Sequence, residues 1–196
     1  MRIYFIQFIF IFFTVLPTIS SADSIFDLKI NGMSIGDSLL NHFDENEIKD
    51  WERTDYSGVG KDRTFVQVST GVNKFQIYNR MSFHIKPDDK NYTIYGMSAV
   101  KMFGRSNIEL CLSLKEKIVE DNKSQFSNTV VKTYESPYEK LDDGRSVAYV
   151  TDFKFEDGNV RFWCVDWSKE TEEKRDWSDN FQYNMNHKIY MDWLNR

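Results

Sequence analysis

Between Lys74 and Lys86 the chain alternates apolar and polar residues with a period of two. Phe75, Ile77, Met81, Phe83 and Ile85 share one parity, while Gln76, Arg80, Ser82, His84 and Lys86 share the other. Such a strand buries one face and wets the opposite one. Antiparallel sheets tolerate this, whereas parallel sheets are covered by helices on both faces. The fold is therefore expected to rest on a mainly antiparallel sheet.

The flanking segments extend that expectation. Phe26–Ile30 alternates up to the turn pair Asn31-Gly32, and residues 34–51 read as a helix broken once, with Asp44 and Glu47 at capping-box spacing. Strands are expected over 64–69, 92–100, 129–135, 145–156, 160–167 and 181–193, with Asp157-Gly158-Asn159 as a tight hairpin whose D-G pair supplies positive φ angles. A second helix starts from the S-x-x-E pair Ser106 and Glu109. It carries an inward stripe of Cys111, Leu114 and Ile118, widened by Leu110, Leu112 and Val119, and fades near Asn122. Residues 168–179 read as a charged, solvated loop. The fold class is α+β: about six to eight mainly antiparallel strands, with two principal helices on one face. Helix plus three strands occurs twice, around 34–100 and 106–167, so a duplicated unit with halves 23–103 and 104–196 is one reading of a single domain over 23–196. This element order is similar to that of small exported helix-and-sheet binding modules of the beta-lactamase inhibitor protein type.

Arg2 followed by an apolar run from Ile3 to Leu16, then Pro17 and the small residues Ser20, Ser21 and Ala22, has the layout of a secretory signal. The run is shorter than the ~20 residues that a spanning helix needs, which favours removal of 1–22 over a retained anchor. No later stretch is apolar and long enough to span a bilayer. Cys111 and Cys164 are the two cysteines, and an even count in an oxidising compartment reads as a disulfide, with two buried free thiols as the alternative. If the bond forms, the second helix covers the sheet face carrying Val160, Phe162 and Cys164, and Trp163, Val165 and Trp167 point the other way. The expected location is periplasmic or extracellular. Few Pro and Gly beside abundant Lys, Asn, Ile and Phe suit an AT-rich Gram-negative genome. In that setting the acceptor patterns at Asn91 and Asn122 read as chance matches.

Charge narrows the partners. The whole chain has a formal charge of −5, and removing 1–22 takes away one basic residue and no acidic one. An acidic balance excludes the basic face that nucleic-acid binding uses and offers anionic lipid no attraction. His42, His84 and His187 are scattered, without ligand spacing to a cysteine, so no metal site and no cofactor is expected.

One motif points to catalysis. Gly36-Asp37-Ser38-Leu39 follows the Phe26–Ile30 strand and enters a helix, and it resembles the name-giving tetrapeptide of the GDSL esterases and lipases. The resemblance implies Ser38 as nucleophile, Asn73 of Gly71-Val72-Asn73-Lys74 as an oxyanion donor, and His187 of Asn184-Met185-Asn186-His187 as base. The chain departs from the family at Lys74 and at Asn184, each standing where that family carries Asp. In a serine protease triad, losing the orienting carboxylate is worth about ten-thousand-fold in rate. The family's parallel sheet also needs long crossovers that half-wet strands do not supply. His187 shares parity with Phe181, Tyr183, Met185, Ile189, Met191 and Trp193, which reads as a core histidine. The hydrolase is thus the alternative, and no catalytic residue is assigned in the first reading.

That first reading is a non-enzymatic binding module of the cell envelope, taking an envelope protein or a small ligand. Trp163 and Trp167, with Trp177 nearby, are its candidate ligand-binding residues, because indoles offer rigid apolar area. Packing in the core is the other reading of these side chains.

Overall fold

The computed structural model describes residues 22–56, 62–71, 75–126, 129–138 and 145–196. Among the described residues eight strands form one sheet: β1 (Glu52–Asp55), β2 (Val66–Ser69), β3 (Arg80–Ile85), β4 (Gly96–Gly104), β5 (Val130–Pro137), β6 (Val147–Lys154), β7 (Gly158–Asp166) and β8 (Asp179–His187). Their order is β1-β2-β3-β4-β8-β7-β6-β5, and every neighbouring pair is antiparallel. The sheet is two four-stranded meanders joined through their last strands, β4 and β8. Each meander follows a helix: α1 (Glu45–Lys49) precedes the first and α2 (Ile108–Asn122) the second. The topological repeat is therefore helix plus four strands. The strand missing from the sequence reading of the first unit is β1, whose four residues are all exposed and carry no apolar alternation.

One sheet face is the core. A cross-strand row of Phe83, Met97, Met185, Val160 and Phe153 runs from β3 to β6, and every member is essentially inaccessible to solvent. Trp51, just after α1, stacks on Phe83 at 5.7 Å, and α2 packs across β7, β8 and β4, so both helices cover this face. The irregular N-terminal segment adds Ile25, Leu28, Ile30, Met33, Ile35 and Leu39 to the same core.

Several local expectations change. Residues 26–30 form no sheet strand: Ile25–Asp27 is a 3-10 turn capped by Ser24, and Ile30 makes only an isolated bridge to Met33. A 3-10 turn at Leu39–Asn41 and the short α1 replace the single broken helix. Asp44 caps α1 with no side-chain hydrogen bond. On α2, Leu110 is exposed, and buried Lys115 joins Cys111 on the inward face. The Ser106–Glu109 capping box is absent because Ser106 sits at φ 53°, outside the extended region that a cap requires. Two carboxylates from later elements take the free amides instead. Glu172 accepts from Ser106 N–H at 2.8 Å, and Asp179 accepts from Asn107 N–H at 2.7 Å. Glu172 belongs to α3 (Lys169–Arg175), a helix in the stretch expected to be a solvated loop, and its Thr171 and Glu172 are buried. The last expected strand stops at His187, where α4 (Lys188–Leu194) begins. Gly158 is required for close approach and not for a positive φ: a Cβ there would lie 2.2 Å from the Asn186 carbonyl oxygen.

Cys111 of α2 and Cys164 of β7 stand at disulfide distance, with Cα atoms 5.9 Å apart, and the bond ties α2 to the second meander. The closed loop spans 53 residues, for which chain entropy alone gives about 4 kcal/mol. The Cys111→Ala, Cys164→Ala double variant is expected to lose about 2–4 kcal/mol in urea unfolding. A loss under about 1 kcal/mol would show that packing of α2 suffices without the cross-link.

Candidate functional site: the amide-rich sheet face

The alternation that sends Phe181, Tyr183 and Met185 into the core sends Gln182, Asn184 and Asn186 to the opposite face. Strand pairing then assembles polar rows across the sheet. One row runs Ser69, Ser82, Ser98, Asn184, Arg161, Asp152; the next runs Gln67, His84, Gly96, Asn186, Asn159. A third sets Trp163 beside Gln182. The strand expected over 74–86 is shorter, since β3 begins at Arg80 and Ile77 before it is exposed. Within β3 Met81, Phe83 and Ile85 are buried as expected, but Ser82 and His84 on the other side are shielded as well.

Local hydrogen bonds order most of this surface. Ser69 and Ser82 hydroxyls lie 2.9 Å apart, Gln182 donates to Asn180 at 2.9 Å, and Asn186 donates to Asn159 at 3.2 Å. Arg161 clasps Asp152 through two N–H donors at 2.7 and 2.8 Å, a fork geometry that keeps the guanidinium charged and satisfied. Ser98 and Asn184, half-buried at the centre, have no side-chain partner among the described residues.

Helix α4 walls one end. Tyr190 stacks on His84 at 4.2 Å, and the space for that stack exists because residue 96 is glycine: a Cβ would meet the His84 ring at 2.8 Å. The Tyr56 hydroxyl lies 3.2 Å from both His84 Nδ1 and the Gln67 side-chain oxygen. Burial pushes the His84 imidazole down to about 3. Phe65, Tyr190 and Trp193 make a small second core beneath. Between these walls and Trp163 lies an open groove of about 330 Å³, with Met191 and Leu194 at its rim.

The opposite end is aromatic. Trp163 is half-buried on the groove floor, with Arg161 5.9 Å from its ring, and its indole N–H is shielded without a partner among the described residues. Trp167 is only 7% exposed and packs against Tyr138 at 4.7 Å and Trp177 at 4.6 Å. The two tryptophans thus differ: Trp163 faces the groove, whereas Trp167 lies within an aromatic cluster beside it.

Ser38 and His187 each serve as a helix cap. Ser38 Oγ donates to the Asn91 carbonyl at 2.5 Å and accepts from Leu40 N–H at 3.2 Å. His187, half-buried and outside the core, caps α4 by accepting Ile189 N–H on Nδ1 at 3.0 Å. Asn73 lies outside the described residues. Among the described residues no group of three or more His, Cys, Asp or Glu is placed to hold a metal ion. The central amides were legible only as Asn184 and Asn186 within a motif lacking its carboxylate. Their common parity with Gln182 is the signal, unused in reading the sequence, from which a polar face could have been read. No protein family, curated protein or solved structure matches this chain.

Two outcomes follow from this geometry. A fluorophosphonate probe is expected to leave Ser38 unmodified, as read by peptide mass mapping; an adduct lost in His187→Ala would establish the hydrolase instead. For His84, the unfolded chain takes up a proton below pH ~6.5 that the folded chain refuses until about 3, so acidification across that window removes stability. His84→Phe keeps the stack on Tyr190 and should flatten the wild-type slope by about 1 kcal/mol per pH unit between pH 6 and 4. An imidazole titrating near 6.5 by NMR would contradict this.

Proposed function

We propose that this protein is an exported binding module of the cell envelope, and that the amide-rich sheet face is where its ligand sits. The observation that carries the reading is the cross-strand placement of two half-buried polar groups without a side-chain partner among the described residues, Ser98 and Asn184, at the centre of a groove walled by α4 and floored by Trp163. Binding sites combine apolar walls with a few convergent polar groups in this way. Export is supported by the apolar run after Arg2 and by the Cys111–Cys164 pair, which suits an oxidising compartment. No helix among the described residues is long and apolar enough to cross a membrane.

A photo-crosslinking amino acid placed at Gln182, in the natural host, is expected to capture an envelope component. The same group at Glu116, on the exposed side of α2, should capture none. Equal capture from both positions, none from either, or retention of the full-length chain in the cytoplasm would overturn the reading.

A further inference from the structure

We infer that the groove takes a neutral, β-linked saccharide chain laid across the strands. The inference rests on the sheet face being the binding surface, and it names the ligand class from the face's chemistry.

Charge comes first. Within the two central rows from β2 to β7 the one charged side chain is Arg161, and Asp152 neutralises it with a two-pronged hydrogen bond. An anionic ligand would have to compete with Asp152 for the same guanidinium, and a cationic one would find no uncommitted carboxylate there. An electroneutral ligand meets neither obstacle.

Hydrogen-bonding capacity comes next. The Asn184 amide offers donors and acceptors together, and the Ser98 hydroxyl adds a donor and acceptor lone pairs beside it. A sugar hydroxyl also both donates and accepts, so a chain of hydroxyls can meet this mixture in any rotamer. Trp163 supplies the apolar plane against which the C–H face of a pyranose ring packs.

Spacing then separates a saccharide from a peptide. Groups along the rows recur at the distance between strands, about 4.8 Å. That is close to the length of one unit in a β-linked pyranose chain, so successive rings meet successive strands in register. An extended peptide advances only about 3.3 Å per residue and falls out of step after one strand.

The test titrates cellotetraose and tetra-N-acetylchitotetraose into the full mature protein, followed by calorimetry and tryptophan fluorescence, with a neutral Ser/Asn/Gln peptide in parallel. Saturable binding of at least one saccharide is expected, with at least a tenfold loss in Asn184→Ala and in Ser98→Ala, and a smaller fluorescence change in Trp163→Phe. Asn184→Asp, close to the same size, should also lose binding because it charges a neutral groove. Unchanged melting temperatures in these variants show that the loss is local. Saccharide binding that ignores all of these substitutions, or preference for the peptide, overturns the inference. If neither saccharide binds while crosslinking from Gln182 persists, the ligand class is wrong and the binding face stands. If crosslinking fails as well, both readings fall.

Discussion

The structure depends on the pairing of β4 with β8. These are the final strands of two four-stranded meanders, and their antiparallel register, from Gly96 opposite Asn186 to Gly104 opposite Asp179, makes one sheet of the two. Because side chains alternate along both strands up to the irregularity between Met102 and Gly104, this one register decides both faces at once. Met97 opposite Met185 continues the apolar row into the second meander, and Ser98 opposite Asn184 continues the polar one. A slip by one residue would exchange the two sets, burying amides without partners. The register that completes the core is thus the register that builds the groove.

The second meander is tied to its helix at the N-terminal end of α2. Near the first turn of α2 the cross-link to Cys164 fixes the helix laterally, and just before it Glu172 and Asp179 take the leading amides. Asp179 also accepts from Trp167 N–H, so one carboxylate joins α2, β8 and the end of β7. Its setting carries an electrostatic penalty: burial first, then the neighbouring Glu172, push its carboxyl up, although the amides it accepts pull it down. Asp166 is raised likewise by burial and by Asp179, Glu172 and Glu109. Groups raised in this way favour the folded chain below their ordinary range and weaken it as pH climbs through the raised values, the opposite trend from His84.

Much of the architecture was legible because it is written in periodicity. Met81, Phe83 and Ile85 announced an antiparallel sheet, and Cys111 and Cys164 announced which helix meets which strand, so α2 lies on the face this implied. The first expected helix shrinks to α1, and α4 stands on the opposite face. What escaped was set by tertiary context. β1 has no buried residue to alternate, and α3 buries Thr171 and Glu172 inside a stretch whose composition is that of solvated surface. The segment 26–30 alternates like a strand, yet its 3-10 turn lies against β7 and β8, each already paired on both sides, so no strand edge is open to it there. For the site, residues 182–186 carried the correct parity, but assigning its function required knowing that β4 and β7 bring Ser98 and Arg161 alongside. Such a constellation, assembled from three strands, leaves no linear motif.

The composition of the groove is difficult to explain by folding alone. Asn is among the residues least suited to strands, and β8, a central strand, carries three of them at 180, 184 and 186. A half-wet antiparallel face is ordinarily satisfied by Thr, Lys or Glu, whose long or branched side chains cover their own backbone. Here Asn184 and Ser98 sit half-buried without partners among the described residues, and the Trp163 N–H is shielded beside them. Positions where local preference and native environment disagree are where selection for something other than stability is expected. Gly96 belongs to the same pattern, since it weakens a central strand and its missing Cβ admits the His84–Tyr190 stack that closes one end. A sheet surface that gives up strand propensity at Gly96, Ser98, Asn184 and Asn186, and lines its groove with uncharged donors and acceptors, is in keeping with the ligand site proposed for it.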